Sequence, residues 1–158
     1  MTSMDATIRA GITIAAIMQQ APVAQLEARI LIGHVTQLSR VQLITQSGRA
    51  LTADEAQQLA QLFARRLAGE PIAYLTGERE FYGLSFDVSP AVLIPRPDTE
   101  LLVELALQHL PQQGRVLDMG TGSGAIAIAI AHARPDAIVT ALDAVSYTHL
   151  RAHETRGN

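Results

Sequence analysis

Apolar positions fall at two different rhythms along this chain. From residue 5 to about 70 they recur every three or four residues. Ile8, Ile12, Ala15 and Met18 do so, and Leu26, Ile30, Leu31 and His34 repeat the pattern between Gln25 and Val35. That spacing marks one face of a helix. Arg40 to Ile44 is a short apolar piece, and Gln46-Ser47-Gly48 marks a turn. Thr52-Ala53-Asp54-Glu55 is a capping box, in which hydroxyl and carboxylate each accept a bond from an otherwise orphan N–H. The helix it opens carries Leu59, Leu62, Phe63 and Leu67, with Gly69 placed to end it. No strand pattern interrupts this region, so it predicts a bundle of four or five helices. His34, on an apolar face, reads as a core or edge histidine rather than a base. Arg65-Arg66 reads as a solvated helix face.

After Gly69 the rhythm changes. Glu70 to Gly77 has the breakers of a linker. Phe81-Tyr82 and Leu84 to Val88 flank Gly83 as the arms of a β-hairpin, whose aromatic side chains are expected to pack it between two domains. Pro95 and Pro97 stiffen the next segment and exclude helix before Asp98. Asp98 reads as the N-cap of a helix carrying Leu101, Leu102, Leu105 and Leu110 and stopped by Pro111. Residues 116–119 read as a buried strand. Ala125 to Ala133 alternates like a strand, but it follows a glycine turn and is rich in alanine, which favours helix. It is expected to be a helix buried on every side. Ala137 to Leu142 reads as a second strand.

Composition narrows the class. The chain has 158 residues, 48% hydrophobic and 17% charged, so it can bury a core. It has no cysteine, which removes disulfides, thiolate metal sites and a cysteine nucleophile. A net charge of −3 carries no basic footprint for nucleic acid. No apolar run approaches the ~18 residues of a membrane span, and Asp5, Thr13, Gln19 and Gln20 argue against a secretory signal. The expectation is a soluble, cytoplasmic monomer without a metal.

The chemistry concentrates in Val116-Leu117-Asp118-Met119-Gly120-Thr121-Gly122-Ser123-Gly124. An apolar strand ends in an acid, and glycines follow at alternate positions. Glycines let the main chain approach a ligand closely, and the helix that follows begins with unpaired N–H groups. Such a turn can also simply close a strand–helix corner. Two acids favour a ligand. Asp118 stands at the carboxyl end of the first strand, where open α/β sheets bind ligands. Asp143 ends the second strand, 19 residues after Gly124 and close to the ~20 expected of an acid that holds ribose hydroxyls. The dinucleotide fingerprint places its third glycine one position later. Asp118 would also repel a phosphate while suiting a cationic amino-acid group. A nicotinamide dehydrogenase is therefore disfavoured.

Asp-x-Gly-x-Gly-x-Gly resembles the first motif of class I methyltransferases that use S-adenosylmethionine. The order of motifs narrows the resemblance. A helical region is followed by Pro71-Ile72-Ala73-Tyr74-Leu75-Thr76-Gly77, then Arg79-Glu80-Phe81-Tyr82-Gly83, then Leu93-Ile94-Pro95-Arg96-Pro97-Asp98-Thr99-Glu100, then the glycine loop. From about residue 5 to 144 the chain resembles the peptide chain release factor glutamine N5-methyltransferases, the HemK family. The Ile-Pro-Arg-Pro-Asp-Thr-Glu segment discriminates most. The resemblance implies methyl transfer from S-adenosyl-L-methionine to the glutamine amide nitrogen of the Gly-Gly-Gln loop in class 1 release factors. It implies that Gly120, Thr121, Gly122, Ser123 and Gly124 bind the cofactor. Asp143 would take its ribose, Asp118 would lie near its methionine end, and Arg96 and Thr99 would lie beside its entrance.

The implied fold is α+β. Residues 1–70 form a helical substrate-recognition domain, 71–95 a linker with the β-hairpin, and 96–144 the start of a Rossmann-like α/β methyltransferase domain. The family's Asn-Pro-Pro-Tyr substrate motif does not occur here, so no catalytic residue is assigned. Residues 145–158 resemble the in-frame translation of a transposase-type sequencing adapter and are set aside from the fold. His149 and His153, four apart, belong to that tail rather than to a metal pair. Competing readings are a non-catalytic, release-factor-binding fragment and a sibling enzyme that methylates a ribosomal-protein glutamine.

Overall fold

The computed structural model describes residues 8–144 and the backbone of Ala152–His153. The other tail positions, and the expectations placed on them, lie outside the described residues. The chain divides into two compact units, the first ending at Thr76 and the second beginning at Gly77.

The first unit is helical. Helix α1 (Ile14–Gln20) starts later than the apolar rhythm suggests. Thr13 caps it, its hydroxyl accepting the Ala16 N–H at 3.3 Å. Ile12 lies before the helix in an extended segment, where Thr13 bridges antiparallel to Ala50 and the Leu51 N–H donates to the Ile12 carbonyl at 2.9 Å. Helix α2 (Gln25–Thr36) buries Ala28, Leu31, Ile32 and Thr36. At 100° per residue, Leu26 and Ile30 fall on the opposite side, and both are exposed. The expected apolar face was thus half right, since the helix carries two apolar stripes and Leu31 belongs to the inner one. His34 is exposed rather than a core residue.

Arg40–Thr45, expected only as an apolar piece, is helix α3. Ser39 and Gln42 form its capping box, the Ser39 N–H donating to Gln42 Oε1 at 2.8 Å. Helix α4 (Ala53–Leu67) opens on the expected box. The Thr52 N–H donates to Glu55 Oε2 at 2.9 Å and the Glu55 N–H to Thr52 Oγ1 at 3.2 Å. Arg49 adds a 2.7 Å bond to Glu55 Oε1. Burial pushes the Glu55 carboxyl up, but the bonds from Arg49 and Thr52 outweigh it and hold the group below its ordinary value. The two arginines are not a free solvated face. Arg65 pairs with Glu70, and Arg66 reaches Glu27 of α2 at 2.7 Å. The expected linker contains helix α5 (Ile72–Thr76), whose Leu75 joins Ile14, Ile17, Leu31, Leu59 and Phe63 in one core.

The second unit mixes strands and helices. Strands β1 (Glu78–Phe81) and β2 (Leu84–Asp87) form the expected hairpin, with Phe81 opposite Leu84. Tyr82 and Gly83 both have positive φ, 52° and 75°, as a two-residue turn matched to strand twist requires. The Ala152–His153 backbone pairs antiparallel to the far side of β2; it is β5 in chain order. Helix α6 (Glu100–His109) is preceded by a 3₁₀ turn, Pro97–Thr99. Asp98 therefore lies inside that turn and does not cap the helix. Pro97 fixes the backbone, and the Thr99 N–H donates to the Arg96 carbonyl at 3.0 Å. Glu100 instead accepts the Tyr82 N–H of the hairpin turn at 3.0 Å. Only Val103 of α6 is buried, and Leu101, Leu102 and Leu105 are exposed.

Strands β3 (Arg115–Met119) and β4 (Ile138–Leu142) run parallel, Val116 opposite Val139 and Met119 opposite Leu142. Helix α7 (Ala125–Ala133) connects them. Its alternating sequence is helical, as expected, although Ala131, His132 and Ala133 are exposed. Phe81 and Phe86 meet edge to face at 6.2 Å and 74°. They pack with Val103, Ala125, Ala129 and Ile130 in the core of this unit. One face of the parallel pair, Val116 and Val139, joins that core, while Leu117, Met119, Ile138 and Leu142 on the other are exposed. Among the described residues no helix is long and apolar enough to cross a membrane.

Candidate cofactor site at the ends of two parallel strands

The loop between β3 and α7 is built by the end of β4. The N–H groups of Gly120 and Thr121 both donate to the Leu142 carbonyl, at 2.8 and 3.1 Å. Two carboxylates then hold it. The Thr121 hydroxyl donates to Asp118 Oδ2 at 2.7 Å, and the Gly122 N–H donates to Asp143 Oδ2 at 2.8 Å. The last turn closes with the Gly124 N–H on the Thr121 carbonyl at 2.9 Å. Gly120, Gly122 and Gly124 have φ of 75°, 56° and 76°, the left-handed region that glycine enters without penalty. A Cβ added at Gly120 or Gly122 would meet no atom within 4 Å. These glycines therefore do not relieve crowding inside the protein. They leave bare backbone beside open space.

Asp118, Thr121, Gly122 and Asp143 are thus brought into one bonded cluster, with Gly120 and Gly124 in the same loop. Ser123 is half-buried in that loop. Arg96 and Thr99 are joined to each other across the 3₁₀ turn, and among the described residues no hydrogen bond ties either to the glycine loop. A carboxylate has about four lone-pair sites, and Asp143 accepts the Gly122 N–H on one of its oxygens. Gly124 occupies the N-cap position of α7, with no side-chain capping bond.

Sequence reasoning missed the supports. The Leu142 carbonyl carries no side-chain signal. Arg134, just past α7, donates to the Leu110 and Pro111 carbonyls at 2.9 Å each and to both oxygens of Asp136 at 2.7 and 2.8 Å. The Gln113 N–H also donates to Asp136 at 2.8 Å. This clamp ties the end of α6 to the entry of β4. Its guanidinium and that N–H hold the Asp136 carboxyl well below the usual carboxylate range. A cleft of about 460 Å³ lies beside it, lined by Leu110, Gln112, Gln113, Arg134 and Asp136, but the two charged groups lining it are already bonded to each other.

A parallel strand with an acid near its end, a glycine turn and a helix thus lead to a second strand followed by an acid. The family described as methyltransferase small domain matches residues 97–156, which lie within the second unit. The family described as PrmC N-terminal domain matches residues 13–77, essentially the helical unit. The release factor glutamine methyltransferase of Neisseria gonorrhoeae is 53% identical over 119 residues, 75% of this chain and 44% of that protein. The protein of the same description from Burkholderia pseudomallei is 52% identical over 142 residues, 89% of this chain and 50% of that one. Its Escherichia coli counterpart is 54% identical over 118 residues, 74% and 43% respectively. The chain belongs to the release factor glutamine methyltransferase family, and it spans about half the length of these relatives.

Proposed function

We propose that this chain supplies the cofactor end and the helical recognition domain of a methyltransferase. The enzyme would transfer a methyl group from S-adenosylmethionine to the glutamine amide nitrogen of the Gly-Gly-Gln loop in class 1 release factors. The observation that carries the reading is the doubly anchored glycine loop, with left-handed backbone at Gly120 and Gly122 beside open space. The donor set fits the cofactor. Asp143, an acceptor at the end of β4, suits the paired hydroxyls of a ribose. Asp118 supplies negative charge for the ammonium of the methionine portion. Gly120 to Gly124 offer close backbone approach without a side chain in the way.

When bound, the cofactor supplies an electrophilic methyl on a sulfonium. What these residues contribute is binding and orientation. Thr121 fixes the Asp118 carboxylate, and Gly122 fixes that of Asp143, so both acids are aimed before a ligand arrives. An amide nitrogen is a poor nucleophile, so positioning and exclusion of water must supply much of the acceleration. No Asn-Pro-Pro-Tyr segment for that task occurs in these 158 residues. We therefore expect them to bind cofactor and release factor without transferring methyl groups.

The test replaces the matched half of the Escherichia coli relative with residues 1–144 of this chain. The chimera should label a class 1 release factor on glutamine, and Asp143→Ala should abolish the labelling by weakening cofactor binding. A folded chimera that binds S-adenosylmethionine but leaves every release factor unlabelled would refute the substrate. Labelling of a ribosomal protein instead would favour the sibling enzyme.

A further inference from the structure

Helix α2 keeps an apolar stripe that its own unit does not use. Leu26 and Ile30 are 66% and 40% exposed, on the side opposite the buried face. They line a cleft of about 410 Å³ together with Arg29, Gly33, Leu38, Arg40 and Leu43; Arg40 is exposed and Arg29 half-buried. Gly33 sits in mid-helix, where glycine is unfavourable, and a Cβ there would come within 3.2 Å of the Leu38 carbonyl and 3.5 Å of Leu43. The tight approach of α2 to the α2–α3 connection is what shapes the cleft.

Its charge is one-sided. No carboxylate lines it among the described residues. The acid of α2, Glu27, is engaged elsewhere by Arg66. Neither Arg29 nor Arg40 takes part in an ion pair among the described residues. Two arginines in an otherwise apolar lining, on a chain of net charge −3, are a local reversal of the molecule's sign.

We propose that this cleft docks an amphipathic helix with an acidic flank, presented by the release factor that the enzyme methylates. The partner's identity rests on the function proposed above, while the cleft and its charge preference rest on the residues here. Apolar side chains one turn apart on the partner would meet Leu26 and Ile30, in the helix-in-groove mode. Its carboxylates would meet Arg29 and Arg40, which set orientation and speed encounter.

The test measures binding of a purified class 1 release factor to the full 158-residue chain by titration calorimetry, at low and at raised salt. Arg29→Glu with Arg40→Glu, and separately Leu26→Asp, should each weaken binding by at least about tenfold. Arg9→Glu changes net charge on an exposed residue outside the cleft and should leave affinity within about twofold. Raised salt should weaken the wild type more than the double variant. Far-ultraviolet circular dichroism and thermal unfolding keep the comparison honest, since the substituted side chains are not buried and melting should be preserved. Binding by the double variant equal to wild type, an equal loss in Arg9→Glu, or no release-factor binding by the wild type would overturn the assignment. A chimera that still labels release factor when both arginines are reversed would remove the cleft but leave the proposed function standing.

Discussion

Two glycines of the second unit make opposite predictions. Gly120 has φ of 75° and open space where a Cβ would stand. Gly120→Ala therefore costs only left-handed strain, about 1–2 kcal/mol, reduced by up to about 1 kcal/mol because alanine stiffens the unfolded chain. Its N–H bond to Leu142 survives. Gly114 is buried at the entry to β3, and a Cβ there would lie 2.6 Å from a Leu110 methyl and 2.8 Å from the Pro111 carbonyl oxygen. The first atom can swing away. The second is backbone in a turn closed by the Gly114 N–H itself at 3.1 Å. Overpacking of this kind costs about 1–3 kcal/mol or more. For a unit of this size each kcal/mol is roughly 4–8 °C in melting temperature. Scanning calorimetry should place Gly114→Ala clearly below Gly120→Ala, and Gly120→Ala a few degrees below wild type. Saturating S-adenosylmethionine should then raise the wild-type transition by linkage while moving Gly120→Ala little, because the new methyl enters the ligand's space. An equal cofactor shift in both proteins would show that the open space beside Gly120 is not the binding site. A costlier Gly120 than Gly114 would refute the steric argument.

Further expectations concern the supports. Leu59→Ala empties a fully buried position in the helical core and should cost about 2–5 kcal/mol, read as a lower urea midpoint for the first unit. Glu55→Ala removes half of the capping box and the Arg49 pair, at about 1–2 kcal/mol. Because the folded Glu55 carboxyl lies below its ordinary value, its contribution is present above the unfolded glutamate pKa and fades as pH falls through the folded one. Urea melts at neutral and acid pH should therefore converge for wild type and variant as the pH is lowered. Arg134→Ala frees two carbonyls and Asp136 at once and should lower the second unit's melting temperature more than Arg115→Ala does; an equal effect would deny the clamp its role.

What the sequence revealed follows the range of the interactions. The Thr52–Glu55 box, the Tyr82-Gly83 hairpin turn and the glycine loop each close over a few residues, so their chemistry stands in contiguous sequence. The Ser39–Gln42 box was equally local, but the helix it opens is too short to show a full apolar period. Other expectations failed where an adjacent proline or a distant partner decides. Asp98 lost the cap to a proline-driven 3₁₀ turn, while Glu100 was drawn to Tyr82. Leu26 and Ile30 mimicked a core stripe because periodicity reports an apolar face without saying what covers it. The candidate site was legible as residue types in a loop. Its anchoring to the Leu142 carbonyl, the end of a strand met much later in the chain, was not.

The two-stranded parallel sheet is clothed on one side and bare on the other. Leu117, Met119, Ile138 and Leu142 stand outward on adjoining strands, a sticky band that water wets poorly. Such a surface attracts chaperones and invites self-association while it remains uncovered. The helical unit, by contrast, closes its core with its own side chains. Along a growing polypeptide the first unit can settle as soon as it emerges, whereas the second needs shelter. Yield and solubility of this chain should accordingly be governed by its second unit, not by its first.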